Sequence, residues 1–154
     1  MNGEIENPDF ILQLRKYAAR ARRDRRLQGE SVRTITLTSQ SEGEDSVTID
    51  AVIENGVIRE VGYRVRACSL AQATTALVAE RAAGLTGETL SAVEQQASLI
   101  LQERPPEGDS LIWPELLMLQ NAAAMPSRHD VALLPFQALK RLLGTTGDAY
   151  AGKS

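Results

Sequence analysis

The sequence holds one cysteine, Cys68, and one histidine, His129, in 154 residues. A single thiol excludes an intrachain disulfide and an all-thiolate metal site within one chain. A single imidazole excludes any site that needs two histidines from the same chain. Aromatic residues are scarce too: one Trp, three Tyr and two Phe. That is too few for a stacking surface on single-stranded nucleic acid, and no nucleic-acid partner is expected. No apolar run approaches the roughly eighteen residues of a membrane span. Met1 to Asp9 carry Glu4, Glu6 and Asp9 in place of a basic flank and an apolar stretch, so they do not read as a secretory signal. A cytoplasmic location without membrane contact is the expectation. There is no glycine-rich phosphate loop, and a Ser-His-Asp triad would rest on His129 alone.

What is present is ordinary for a globular chain. Seventeen basic and 20 acidic residues give a net charge of −3, with 43% hydrophobic and 24% charged residues. One domain of this size can bury a core without disulfide staples.

Residues 8–30 read as a leading helix, with its periodic part from Phe10 to Leu27. Ile11, Leu14, Ala18 and Ala21 recur at helical spacing on one face. Asp9 after Pro8 suits an N-cap, and Gly29 ends the segment. The other side is basic, with Arg15, Lys16, Arg20, Arg22, Arg23, Arg25 and Arg26 relieved by Asp24.

Residues 31–67 read as a β-meander. Ser31 to Thr38 is rich in β-branched residues. Val47, Ile49, Ala51 and Ile53 then alternate with Thr48, Asp50 and Glu54. Asn55-Gly56 is a strong hairpin signal because both residues accept positive φ. A third strand follows with Val57, Val61, Tyr63, Val65 and Ala67 at odd positions. With Asn55 and Gly56 as the loop, Glu54 faces Val57. Continued without a bulge, that register sets Asp45 opposite Arg66, with Cys68 two residues further along the same edge.

Residues 69–143 read as helices. Ser69 suits the cap of a helix from Leu70 to about Ala83, stopped by Gly84, and Thr86 suits the cap of a second through Leu101. A third begins near Trp113-Pro114 with Leu116, Leu117, Leu119 and Ala123. A last region carries Val131, Leu134, Ala138 and Leu142, and Pro135 is expected to split it. Residues 144–154 read as a flexible tail. The fold class is therefore α+β: an N-terminal helix, a three-stranded antiparallel meander, and C-terminal helices packed on one face of the sheet.

At a strand-to-helix junction Cys68 sits in positive potential from a helix N-terminus and from Arg64 and Arg66 nearby. It can serve as a ligand, a sulfur acceptor or a nucleophile with His129 as base, or it can simply fill space as free cysteines often do. Asp45 can be a hard ligand or a turn residue paired with Arg66. The arginine run can meet an acidic partner or remain a solvated face.

Two segments resemble a known family. Gly62 to Leu77 (GYRVRACSLAQATTAL) followed by Gly84-Leu85-Thr86-Gly87-Glu88-Thr89 is similar to the iron–sulfur cluster scaffold family of the NifU N-terminal or IscU type. Pro126-Ser127-Arg128-His129-Asp130-Val131 to Phe136 resembles the same family's proline, basic residue, cysteine and helix. The resemblance covers about Phe10 to Leu143 and implies a single domain over 1–154.

By that resemblance the family's aspartate falls on Asp45 and its second cysteine on Cys68, while the first and third cysteines fall on Gly43 and Val131. The resemblance implies a non-enzymatic scaffold-like protein that binds metal, or accepts iron or sulfur, at a reduced site. Its ligand set would be Cys68, Asp45, Asp130 and His129, and its cargo an iron–sulfur cluster or a single zinc or iron ion. The implied partner is a cysteine desulfurase or another assembly protein, met through Arg22, Arg23, Arg25 and Arg26. A homodimer with one Cys68 from each chain stays open. So does an adaptor that keeps the fold, has lost cluster binding and holds no cofactor.

Overall fold

The computed structural model describes residues 8–39, 45–104, 110–122 and 128–144. Helix α1 (Pro8–Arg20) leads into strands β1 (Val32–Thr38), β2 (Ser46–Glu54) and β3 (Val57–Arg66). Helices α2 (Ser69–Arg81) and α3 (Gly87–Leu101), a 3₁₀ segment (Pro114–Ala122) and α4 (His129–Gly144) follow. The sheet is antiparallel in the order β1-β2-β3. Helix α2 packs on β3, and α4 on β1 and β2. Helix, meander and helices thus stand in the order the sequence implies. Among the described residues no helix is long and apolar enough to cross a membrane.

The core forms between the sheet and the helices. Val47, Ile49 and Ala51 of β2 are fully buried, as are Leu77 and Val78 of α2, Leu90 and Val93 of α3, and Phe136 and Leu139 of α4. Helix α2 is buried almost all round, from Leu70 and Ala71 through Ala73–Val78, and not on one stripe. Small residues permit this, because alanines let α1, α4 and β3 approach the same helix. Cys68, not Ser69, is its N-cap residue, and Ser69 is already helical. Thr86 caps α3 as its sequence suggests, accepting a hydrogen bond from the Thr89 amide at 3.4 Å.

Four expectations are corrected. First, the leading helix stops at Arg20, not near Leu27. The residues after it pair with the sheet: Arg25 and Tyr63 exchange backbone hydrogen bonds of 2.9 and 2.8 Å. Second, the register slips between Val52 and Ile53. Glu54 faces Val57 and Ile53 faces Ile58, but Val52 faces Glu60. Arg59 is the extra residue of a bulge, so Arg66 lies opposite Ser46 and not Asp45. Third, the segment from Trp113-Pro114 is a 3₁₀ helix, burying Leu116, Met118 and Leu119; Ala123 lies outside the described residues. Fourth, α4 runs unbroken through Pro135. Starting only at His129, it places the proline in its second turn. The burial of Val131, Leu134, Phe136 and Leu139 offsets the lost backbone bond. The 144–154 tail lies outside the described residues apart from Gly144.

Asp50 is the unexpected core residue. Strand alternation sets it on the polar face, yet it is 0% exposed. Its Oδ2 accepts from Arg26 Nε at 2.8 Å and from the Leu27 amide at 3.0 Å. Its Oδ1 accepts from Arg26 Nη2 at 3.0 Å and from Thr34 Oγ1 at 2.7 Å. Gly62 lies opposite Asp50 on β3. A Cβ there would stand 2.4 Å from the Arg25 carbonyl oxygen, so only glycine lets the chain cross so closely. Burial pushes the Asp50 carboxyl up, but the bonds from Arg26, Leu27 and Thr34 outweigh it and hold the carboxyl below its ordinary range.

Asp50→Asn keeps the shape and removes the charge. We expect a loss of about 1–3 kcal/mol at neutral pH, because a charge-assisted network is replaced by one with a misdirected donor. The native carboxyl titrates below the unfolded one, so its contribution is present above about pH 4 and fades as pH falls through the native value. Urea unfolding should show the wild-type advantage at neutral pH and its shrinkage in acid. An advantage independent of pH would contradict this.

Candidate site around Cys68

Cys68 follows β3 by two residues and caps α2 with extended backbone, φ −68° and ψ 171°. Its carbonyl accepts from the Gln72 amide at 3.0 Å, the first bond of the helix. Its side chain makes no capping hydrogen bond. The thiol is free and half-buried, packed against the edge of the core. It faces a cavity of about 520 Å³. Ile11 and Leu14 of α1, Leu70 of α2 and Ala122 form aliphatic walls, and Arg15 and Arg128 add two guanidinium groups. Among the described residues no acidic side chain lines it. A volume of this size suits a small molecule or the tip of a partner loop.

Asp45 and Asp130, two of the other expected site residues, are both bonded to Ser39. The Ser39 amide donates to the Asp45 carbonyl at 2.9 Å, and Ser39 Oγ donates to Asp130 Oδ2 at 3.1 Å. Ser39, 4% exposed, thus ties the entry to β2 to the first turn of α4. Asp130 there also lies favourably at a helix N-terminus. His129 opens the same turn and is half-buried. Gly43 lies outside the described residues, and Val131 is fully buried.

Among the described residues no three His, Cys, Asp or Glu side chains are placed to hold one metal ion. The structure therefore does not gather Cys68, Asp45, Asp130 and His129 into a common ligand set. The described donors of one chain, so placed, do not fit zinc, which takes three or four protein ligands, or a cluster, which takes four.

The arginines are also redistributed. Arg66 makes a two-pronged contact with Asp24 at 2.9 and 3.2 Å, and Arg64 approaches the same carboxylate at 3.7 Å. Neither lines the Cys68 cavity. Arg26 is spent on Asp50. Arg15 and Arg128 were not expected at the thiol. Arg15 follows Leu14 on a helix whose apolar face was legible, and Arg128 lies one residue before His129. Only the three-dimensional closure of α1 over α2 brings them together.

No protein-family model matches the sequence, and no curated protein resembles it significantly. Solved structures do. An N-terminal NifU-like protein from Brucella abortus superposes with a TM-score of 0.72 at 22% identity, covering 91% of this chain and 99% of that one. A protein of Fervidobacterium islandicum AW-1, described as a candidate iron–sulfur cluster assembly scaffold for the SUF system, gives 0.71 at 19% identity, covering 93% and 99%. A hypothetical protein gives 0.74 at 17% identity, covering 89% and 98%.

The cationic lining of the cavity is open to a chemical test. The ratio of Cys68 alkylation by iodoacetate to that by iodoacetamide reports the local field, because the thiol is common to both reactions. Arg15→Gln should lower the ratio about two- to fivefold at low ionic strength, with salt narrowing the difference. An unchanged ratio would remove Arg15 from the thiol's surroundings. The chain has the fold of the NifU-like and SUF-type proteins.

Proposed function

We propose that this is a cytoplasmic, scaffold-like protein of iron–sulfur cluster assembly that accepts cargo at Cys68 from a partner, without turning over a substrate of its own. One observation carries the reading. In a chain with this fold, the free thiol stands at the start of a buried helix and opens on a cavity lined by Arg15 and Arg128. The partner chemistry that suits a lone thiol is sulfur transfer from a cysteine desulfurase. The Cys68 thiolate attacks the outer sulfur of the partner's persulfide. A new S–S bond forms at Cys68, the partner's S–S bond breaks, and the partner cysteine leaves as thiolate. Electrons balance without an external oxidant. Arg15 and Arg128 favour the anions on both sides of the step, and the aliphatic walls limit water.

A second reading is favoured by the missing ligand set. The chain then keeps the fold as an adaptor and binds the partner without receiving sulfur. Iron, zinc or a cluster enters only if a second copy or a partner completes the donors.

Mass spectrometry separates the readings. The chain is incubated with a cysteine desulfurase and cysteine under nitrogen and measured without reductant. Gain of one sulfur atom on the wild type, absent in Cys68→Ser, is the expected result. Capture of the desulfurase by both forms with no sulfur gain selects the adaptor. Neither capture nor sulfur gain overturns both.

A further inference from the structure

Residues 21–27, between α1 and β1, are not a loose connection. Three sets of bonds fix them to the sheet, and a fourth holds the residue before them. Asp24 binds Arg66 at 2.9 and 3.2 Å. Arg25 pairs its backbone with Tyr63. Arg26 and the Leu27 amide bind the buried Asp50 carboxylate. The Tyr63 hydroxyl donates to the Arg20 carbonyl at 3.2 Å where α1 ends. Gly62 gives the room for this crossing. A segment so tied has lost its freedom before any partner arrives.

The same segment carries charge without local compensation. Arg22, Arg23 and Arg25 are exposed, and none has an acidic partner among the described residues. Asp24, the segment's only acid, is already shared by Arg64 and Arg66. The surface is basic in a chain of net charge −3. The arm continues the helix that walls the thiol's cavity: Arg15, which lines it, is five residues and about 7.5 Å of helical rise before the end of α1.

We propose that residues 21–27 form a preformed docking arm for an acidic protein segment, with Arg22, Arg23 and Arg25 as the contact residues and Asp50 as the positioning residue that clamps the arm from beneath. This deepens the partner reading above and rests on it for the partner's role, not for the surface itself. A protein segment is favoured over single-stranded nucleic acid because the aromatic side chain against the arm, Tyr63, is 4% exposed and offers no stacking face. Arg26 is excluded from the contact set because its guanidinium is engaged with Asp50.

Asp50→Asn separates a clamp from a mere field. It removes one negative charge, so simple attraction would make an acidic probe bind more tightly. A clamp predicts the opposite, because a loosened arm must be ordered again on binding. The probe is a fluorescein-labelled polyglutamate peptide, titrated by anisotropy against the full chain. Asp50→Asn should bind about threefold more weakly, with faster hydrogen exchange at the Arg25 and Leu27 amides. Arg22→Glu/Arg23→Glu, which alters only exposed and unpaired groups, should bind roughly tenfold more weakly. Should Asp50→Asn not fold, Thr34→Val removes one clamp bond with no change of charge and should weaken binding in the same direction. Equal or tighter binding by the clamp variants overturns the arm, as does indifference to Arg22→Glu/Arg23→Glu. Tighter binding to single-stranded DNA or phosphatidylserine vesicles than to polyglutamate overturns the assigned occupant. Loss of sulfur transfer with this binding intact would count against the cargo role of Cys68 and leave the arm standing.

Discussion

Helix α2 is packed in place almost all round. It is enclosed by α1, α4 and β3, and Ala71, Ala73, Thr74, Thr75 and Ala76 are buried. A close-packed interior resists small displacements, because each shift opens a void on one side and a clash on the other. The N-terminus of α2 is therefore a fixed point, and Cys68 stands on it. The thiol's position is a property of the core. The cavity in front of it, by contrast, is made by α1 and the residues before α4. The site thus joins one immovable wall to others that depend on how α1 is held.

Helix α1 is held by packing on α2 and the 3₁₀ segment, and Asp50 fixes the chain that leads from it to the sheet. A buried carboxylate is costly unless its charge and lone pairs are met. Here one guanidinium, one amide and one hydroxyl meet them, and the guanidinium keeps contact with water. The three donors come from the arm and from β1, while Asp50 lies in β2. An apolar residue at this place could fill the space but could not fix the direction from which the chain arrives. The network trades some stability for a defined path between α1 and the sheet. That path sets where the basic side chains emerge.

The order of elements was legible because each signal is local. Asn55-Gly56 marks the hairpin, with Asn55 at φ 53° and Gly56 at φ 75°, and Thr86 marks the start of α3. The bulge was legible too, in a form easily passed over: buried Ile58 and buried Val61 are separated by two exposed residues, Arg59 and Glu60, which shifts the alternation by one. Ignoring that phase jump is what sets Asp45 against Arg66. The end of α1 was not legible. Nothing in Ala21 to Leu27 forbids a helix, and the segment is pulled out of one by partners far away in sequence. Asp50 was hidden for the same reason, since alternation gives its face but not what covers it. The resemblance led to the right fold, although it could not tell which of the donor positions it implies come together.

The donor chemistry limits what such a fold can carry. Holding a cluster takes several thiolates at once, because each iron needs a nearly complete shell. Moving a sulfur atom takes only one thiolate, correctly placed, and surroundings that tolerate negative charge before and after the transfer. One cysteine beside two arginines meets the second requirement and falls short of the first. Gly43 and Val131, where the resemblance puts two cysteines, offer no ligating side chain, but the lone thiol keeps its own chemistry. On the proposed reading the cargo is a single sulfur, or a metal shared with another chain. On that reading the protein relies on a partner for the rest of the reaction, which is the physical use a cationic arm would have on a chain whose overall charge is negative.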